Sequence, residues 1–186
     1  MVKTLNVIIV MLVYSGSAWA QAQGTLNNDY FNPRRDHQWL EYIGSIEYAH
    51  VKPGLIAFAQ GDMRGTLAQL EYVLPRTVNH PQMLSLASMY AIRTKNPMWA
   101  KPHFERALSL YPQYALTHAQ YGKYLVDIGI IDAGMTELNR ALEIDPKLVA
   151  GHVFLAAAYT KTGQKDLARE SAQRARDLGY TGKLIE

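Results

Sequence analysis

Six histidines are the residues of this chain best suited to chemistry. His118 and His152 stand 34 residues apart. Glu47 and His50 share a helical face at three-residue spacing, with His37 and Glu41 upstream of them. A zinc ion needs three or four ligands within about 2 Å. His-Glu-x-x-His, the helical spacing that delivers two of them, does not occur. With no cysteine there is no thiolate nucleophile, disulfide framework or cysteine zinc site. A serine nucleophile on its Gly-x-Ser-x-Gly elbow is also missing. Gly179-Tyr-Thr-Gly-Lys183 lacks the spacing of a phosphate loop and the strand and helix that would flank one, so it reads as a helix stop and a tail. No catalytic residue, metal or cofactor is expected.

The first twenty residues follow a different logic from the rest. Lys3 gives a positive start, Val7 to Tyr14 form an apolar run, and small residues stand at Ala18 and Ala20. That order is a secretory signal peptide, with cleavage expected after Ala20. A spanning helix needs about 20 apolar residues, so no stable membrane insertion is expected once the signal is removed. The expected location is periplasmic or secreted, in a Gram-negative envelope. Net charge is +3, with Lys and Arg interleaved among Asp and Glu. Nucleic-acid binding relies on clustered cations, and none is present. Residues 21–35 read as a flexible leader.

The elements that must position any functional residue repeat along the chain. Pro112 and Pro146 lie 34 residues apart, each after an Ala-Leu-x-Leu/Ile ending that begins at Ala107 or Ala141. Placing both prolines at position 32 of a repeat gives units over 81–114, 115–148 and 149–180. Small residues at positions 8, 20 and 27 let two antiparallel helices approach, and larger ones at 4, 7, 11 and 24 fill the seam. Gly129 and Gly163 fall at the turn between helices, where glycine tolerates a left-handed backbone. Asp132 and Asp166 follow in the first turn of the next helix. Upstream, helices are expected from about Asp36 to Val51, Pro53 to Gln60 and Asp62 to Leu74, with a break or restart at Pro53-Gly54. Pro102 predicts a kink or a late start in its helix. Residues 36–80 thus hold a degenerate fourth unit from Glu47, with Gly61 at position 15 and Leu70 at position 24.

On these residues the chain resembles the tetratricopeptide-repeat family. The unit from Val149 carries Leu155, Ala156, Tyr159, Gly163, Ala168 and Ala175, with Tyr180 where proline is usual. The unit from Ala115 carries Gly122, Gly129, Leu138, Ala141 and Pro146, and departs at Leu125 and Gly134. The unit from Pro81 carries Ala100, Phe104, Ala107 and Pro112. The resemblance implies an all-α, right-handed superhelix of stacked antiparallel helix pairs, whose first helices line a concave face. Such a face serves protein or peptide recognition. Positions 5, 9 and 13 then form one stripe: Ser85, Met89 and Arg93, then Ala119, Lys123 and Asp127, then Val153, Ala157 and Lys161. Positions 2 and 12 add Ile92 and Val126 among others. The expected groove residues are Ser85, Met89, Arg93, Lys123, Asp127 and Lys161, suited to apolar anchors and an acidic group on a peptide.

The subclass that clamps a C-terminal carboxylate is not expected. Its Lys, Asn and Arg positions fall here on Ser85, Met89, Gln120, Ala150 and Phe154. The chain reads as a non-catalytic protein-binding scaffold. The alternative is a self-associating module, a homodimer through the open end of the stack, if Leu167, Ala168 and Leu178 are left bare beyond the last unit. Residues 181–186 form the tail.

Overall fold

The computed structural model describes residues 27–32 and 36–184; the expected signal peptide lies outside them. Among the described residues there are nine α-helices and no strand. They are α1 (His37–Ile46), α2 (Lys52–Gln60), α3 (Met63–Val73), α4 (Pro81–Arg93), α5 (Lys101–Leu110), α6 (Ala115–Asp127), α7 (Ile131–Ile144), α8 (Val149–Lys161) and α9 (Lys165–Asp177). A π-helical turn, Glu47–Val51, joins α1 to α2. No helix among the described residues is long and apolar enough to cross a membrane.

The helices pack as antiparallel pairs, α2 with α3, α6 with α7 and α8 with α9, while α4 and α5 meet mainly through side chains of one apolar cluster. The turns follow from position 15 of each unit. Gly61, Gly129 and Gly163 adopt φ of 80°, 90° and 77° there, and Lys95 takes the same place at φ 56°. The tightest pair is α6–α7. A Cβ on Gly122 would lie 2.7 Å from the Gly134 carbonyl oxygen, and one on Gly134 would lie 2.6 Å from Val126 Cγ2. Gly134 departs from the usual alanine because the backbones there leave no room for a methyl group. Asp132 and Asp166 lie in the first turns of α7 and α9, favouring the helix dipoles without capping a free N–H.

The expected break at Pro53-Gly54 is corrected. The chain stays helical from 37 to 60 because the π turn just before Pro53 widens the backbone where a ring would otherwise meet the preceding turn. Gly54 instead marks close packing, since a Cβ there would lie 3.1 Å from Gln69 Cβ on α3. Pro102 acts through a late start: α5 begins only at Lys101 and runs ten residues. Two apolar clusters form the core. One runs from Ile46 through Leu70, Leu84 and Phe104 to Leu125, and the other joins Ala119, Leu138, Ala141 and Leu155 across the later units.

The leader expected to be flexible over 21–35 is corrected in its described part. Residues 27–32 form a strap beside 75–79: Asn28 pairs with Thr77 in parallel register, and the chain then turns at Asp29, whose carbonyl accepts from the Asn32 N–H at 3.2 Å. Its recognition groups stand about 50 and 85 residues further along the chain, beyond the reach of local patterning.

Candidate functional site

The first helices of three successive units, α4, α6 and α8, share one face. A pocket of about 200 Å³ opens on it, lined by Ser85, Ser88, Met89 and Ile92 of α4, by Gln120, Lys123, Tyr124 and Asp127 of α6, and by Phe154 of α8. Met89 and Ile92 are 42% and 45% exposed, so two large apolar side chains stand bare across one hollow. Gln120 fixes the polar floor: its Nε2 donates to the Pro81 carbonyl at 2.9 Å and to Ser85 Oγ at 2.8 Å. Its buried Oε1 has no partner among the described residues. Tyr124, fully buried, donates its hydroxyl to the Pro97 carbonyl. Burial pushes its phenol up from the ordinary value, so it stays a neutral donor.

Ser85, Met89, Lys123 and Asp127 of the expected stripe are therefore brought together, whereas Arg93 and Lys161 lie off the pocket. The cations have partners within the fold. Lys123 Nζ lies 2.5 Å from Asp127 Oδ2 and 5.9 Å from the centre of the Phe154 ring. Lys161 Nζ donates to the carbonyls of Val126 and Asp127 at 2.5 and 3.1 Å. Arg93 donates to the Phe58 carbonyl at 3.2 Å and covers the Phe58 ring at 5.0 Å. Arg93 and Lys161 share position 13, and each satisfies the C-terminal carbonyls of the preceding unit's first helix, where a cation also meets the negative end of the dipole. They are bonds between units. The acidic anchor expected of the ligand loses its basis. Ala119 and Val126, also on the expected wall, are buried in the core. Phe154, Tyr124 and Ser88 line the pocket without having been expected there; Ser88 and Phe154 stand at positions 8 and 6, just beside the stripe.

The histidines of position 4 serve the joints between units. His118 and His152 each bond through Nε2 to the carbonyl of the proline six residues earlier, Pro112 at 3.0 Å and Pro146 at 2.9 Å. His118 also contacts Glu137 at 2.6 Å through Nδ1. His50 bonds Gln69 and stacks on Tyr72 with ring centres 3.7 Å apart. No group of three or more His, Asp or Glu side chains suited to a metal occurs among the described residues. Tyr121 and Tyr124 stack on Phe104 at 5.2 and 5.6 Å, while Tyr111 and Tyr114 bond the strap.

Paired helices turning on left-handed residues and stacking at a 34-residue period define a helical-repeat solenoid. Its solved neighbours specify the class: this chain has the tetratricopeptide-repeat fold. It superposes on YrrB, described as a tetratricopeptide-repeat protein with an unusual peptide-binding site, with a TM-score of 0.52 and 18% identity over 76% of this chain and 73% of that one. MamA of Desulfovibrio magneticus RS-1 (residue 41 to its end) matches with a TM-score of 0.53 and 17% identity over 75% and 79%. O-GlcNAc transferase of Thermobaculum terrenum matches with a TM-score of 0.53 and 25% identity over 70% of this chain, which spans only 26% of that enzyme. No protein-family model matches the sequence, and no curated protein matches it.

Proposed function

We propose that this protein is a non-catalytic interaction scaffold that holds a protein or peptide segment along the face formed by α4, α6 and α8. The observation that carries this reading is the pocket itself, with Met89 and Ile92 bare beside Phe154 while the neighbouring cations are bonded within the fold. Exposed large apolar side chains around one hollow mark a surface that gains by being covered. An apolar side chain of the bound segment fills the pocket, and the segment's backbone runs across the first helices. YrrB, whose description includes a peptide-binding site, supports the same use of the fold. The signal-like order of residues 1–20 supports action in the cell envelope, periplasmic or secreted. A pull-down from that envelope tests the reading. Met89→Lys with Ile92→Lys abolishes capture of the partner with helical content unchanged; undiminished capture rules the pocket out.

One observation favours a second reading, the homodimer. Leu167 on the last helix is 41% exposed beside Leu142, Leu155 and Tyr159, although Ala168 is covered. Sedimentation across concentration tests it: a mass that doubles, and reverts in Leu167→Lys, supports self-association, and a constant monomer removes it.

A further inference from the structure

The strap is bound the way a peptide ligand is bound. Its backbone donates from Asn27 to the Pro75 carbonyl at 3.0 Å and from Asn28 to the Arg76 carbonyl at 2.7 Å. Tyr111 donates its hydroxyl to the Asn27 carbonyl at 2.5 Å, and Arg106 donates to the Asn27 side-chain oxygen at 2.5 Å. The centre of the contact is Asp29. One of its carboxylate oxygens accepts from Asn79 Nδ2 at 2.7 Å, the other from the Tyr114 hydroxyl at 2.6 Å. Burial, followed by Asp29 itself, pushes the Tyr114 phenol up, so it remains a donor. Two aromatic contacts follow Asp29: Tyr30 covers the His80 ring at 4.5 Å and Phe31 lies on Tyr114 at 4.7 Å.

The surface beneath is built for an occupant. Asn79 and His80 are fully buried, whereas each strap residue from 27 to 32 is only half-buried. Both ends of the Asn79 amide are spent on the strap, Nδ2 on Asp29 and Oδ1 on the Tyr30 N–H at 2.7 Å. The strap thus covers the Asn79 amide and satisfies both of its ends at once. The bonds run to backbone, to one carboxylate and to two aromatic faces, and these read a short linear segment, bridged at Asn28 and turned at Asp29, rather than a folded surface.

We propose that residues 75–80, with Arg106, Tyr111 and Tyr114, form a peptide-recognition site, separate from the pocket on α4, α6 and α8. Its ligand is a short linear segment that turns at an aspartate followed by aromatic residues. Residues 27–32 fill it in cis, and the same segment of a second copy fills it in trans when the cis strap is displaced. This does not depend on the proposed function. The cis strap has the advantage of a high effective concentration, so a ligand in trans binds once the strap is weakened.

The test uses the full chain with Asp29→Ala and Tyr30→Ala, and a fluorescein-labelled peptide of residues 27–32 followed by anisotropy. The peptide binds this variant saturably and the unmodified chain at least about tenfold more weakly. Adding Asn79→Ala removes the binding, and a peptide with asparagine in place of aspartate binds about tenfold more weakly. No saturable binding, with helical content intact, overturns the proposal, as does binding that ignores Asn79. Should the double variant lose helical content, Asp29→Asn replaces it. Tighter peptide binding than by the unmodified chain then supports the site, and equal or weaker binding overturns it. The second-copy claim is tested by mixing the Asp29→Ala/Tyr30→Ala chain with an Asn79→Ala chain. Neither self-associates through the strap, and the mixture sediments as a dimer; a mixture that stays monomeric overturns the second copy as the source.

Discussion

Lys95 holds φ 56° at the turn between α4 and α5, the place that glycine fills in the other three turns. A side chain in the left-handed region costs about 1–2 kcal/mol, and glycine removes that cost while adding some unfolded-state entropy. Lys95→Gly is therefore expected to stabilise the chain by roughly 0.5–1 kcal/mol in urea denaturation; a loss of stability would show that the Lys95 side chain matters more than its backbone. Two histidines divide the pH response. Burial drives the His80 imidazole below its ordinary value, opposed by the Glu47 carboxylate 3.2 Å away. Burial also works against His118, but its hydrogen bond to Glu137, the Pro112 carbonyl and the Glu137 charge together raise it. The signs are opposite. His80 favours the fold above its ordinary value of 6.5, and that contribution is lost as pH falls below it. His118 favours the fold below 6.5, and that contribution is lost as pH rises through its raised folded value. Titration of the ring protons by NMR should place the His80 midpoint below 6.5 and the His118 midpoint above it; a reversed order would contradict both assignments.

Among the elements, the α6–α7 pair tolerates change least. Gly122→Ala pushes a methyl group against the Gly134 carbonyl and Leu138, and overpacking of this kind costs roughly 1–3 kcal/mol. A denaturation midpoint equal to the unmodified chain's would mean that the helices move apart freely. The joints between units give a second expectation. Lys161→Met removes the cation on the last carbonyls of α6, for a loss of roughly 0.3–1 kcal/mol. Lys123→Ala breaks an exposed pair within α6 and a long contact with the Phe154 ring, together worth about 0.5 kcal/mol. Equal effects would remove the joint from the account. The glycine turns, the late start at Pro102 and the seam residues of the three units could be read from the sequence, because each follows from backbone sterics or from a period that repeats. The π turn was hidden, since the close packing of Gly54 on α3 that accompanies the continued helix lies outside local patterning. The strap was hidden for a related reason: Asn-Asn-Asp reads as turn chemistry until Asn79 and Tyr114 are placed beside it.

Across the whole molecule, the same register that names the turns also predicts which helices share a face, and Ser85, Met89, Lys123 and Asp127 do meet at one pocket. The charge pattern misled because a cation on a first helix has two uses, facing a ligand or closing the preceding unit, and periodicity does not separate them. The backbone carbonyls it bonds do. What stands bare at the pocket is mainly apolar, Met89 and Ile92 beside the Gln120 floor, and that sets the chemistry of the proposed segment. Photo-crosslinking in the producing cell tests this most directly, with benzoylphenylalanine placed in turn at Met89, at Leu110 on a second helix and at Leu167 on the last helix, all exposed. The account predicts one partner band from Met89, absent from Leu110 and Leu167. A partner that crosslinks from Leu110 or Leu167 and never from Met89 would contradict it.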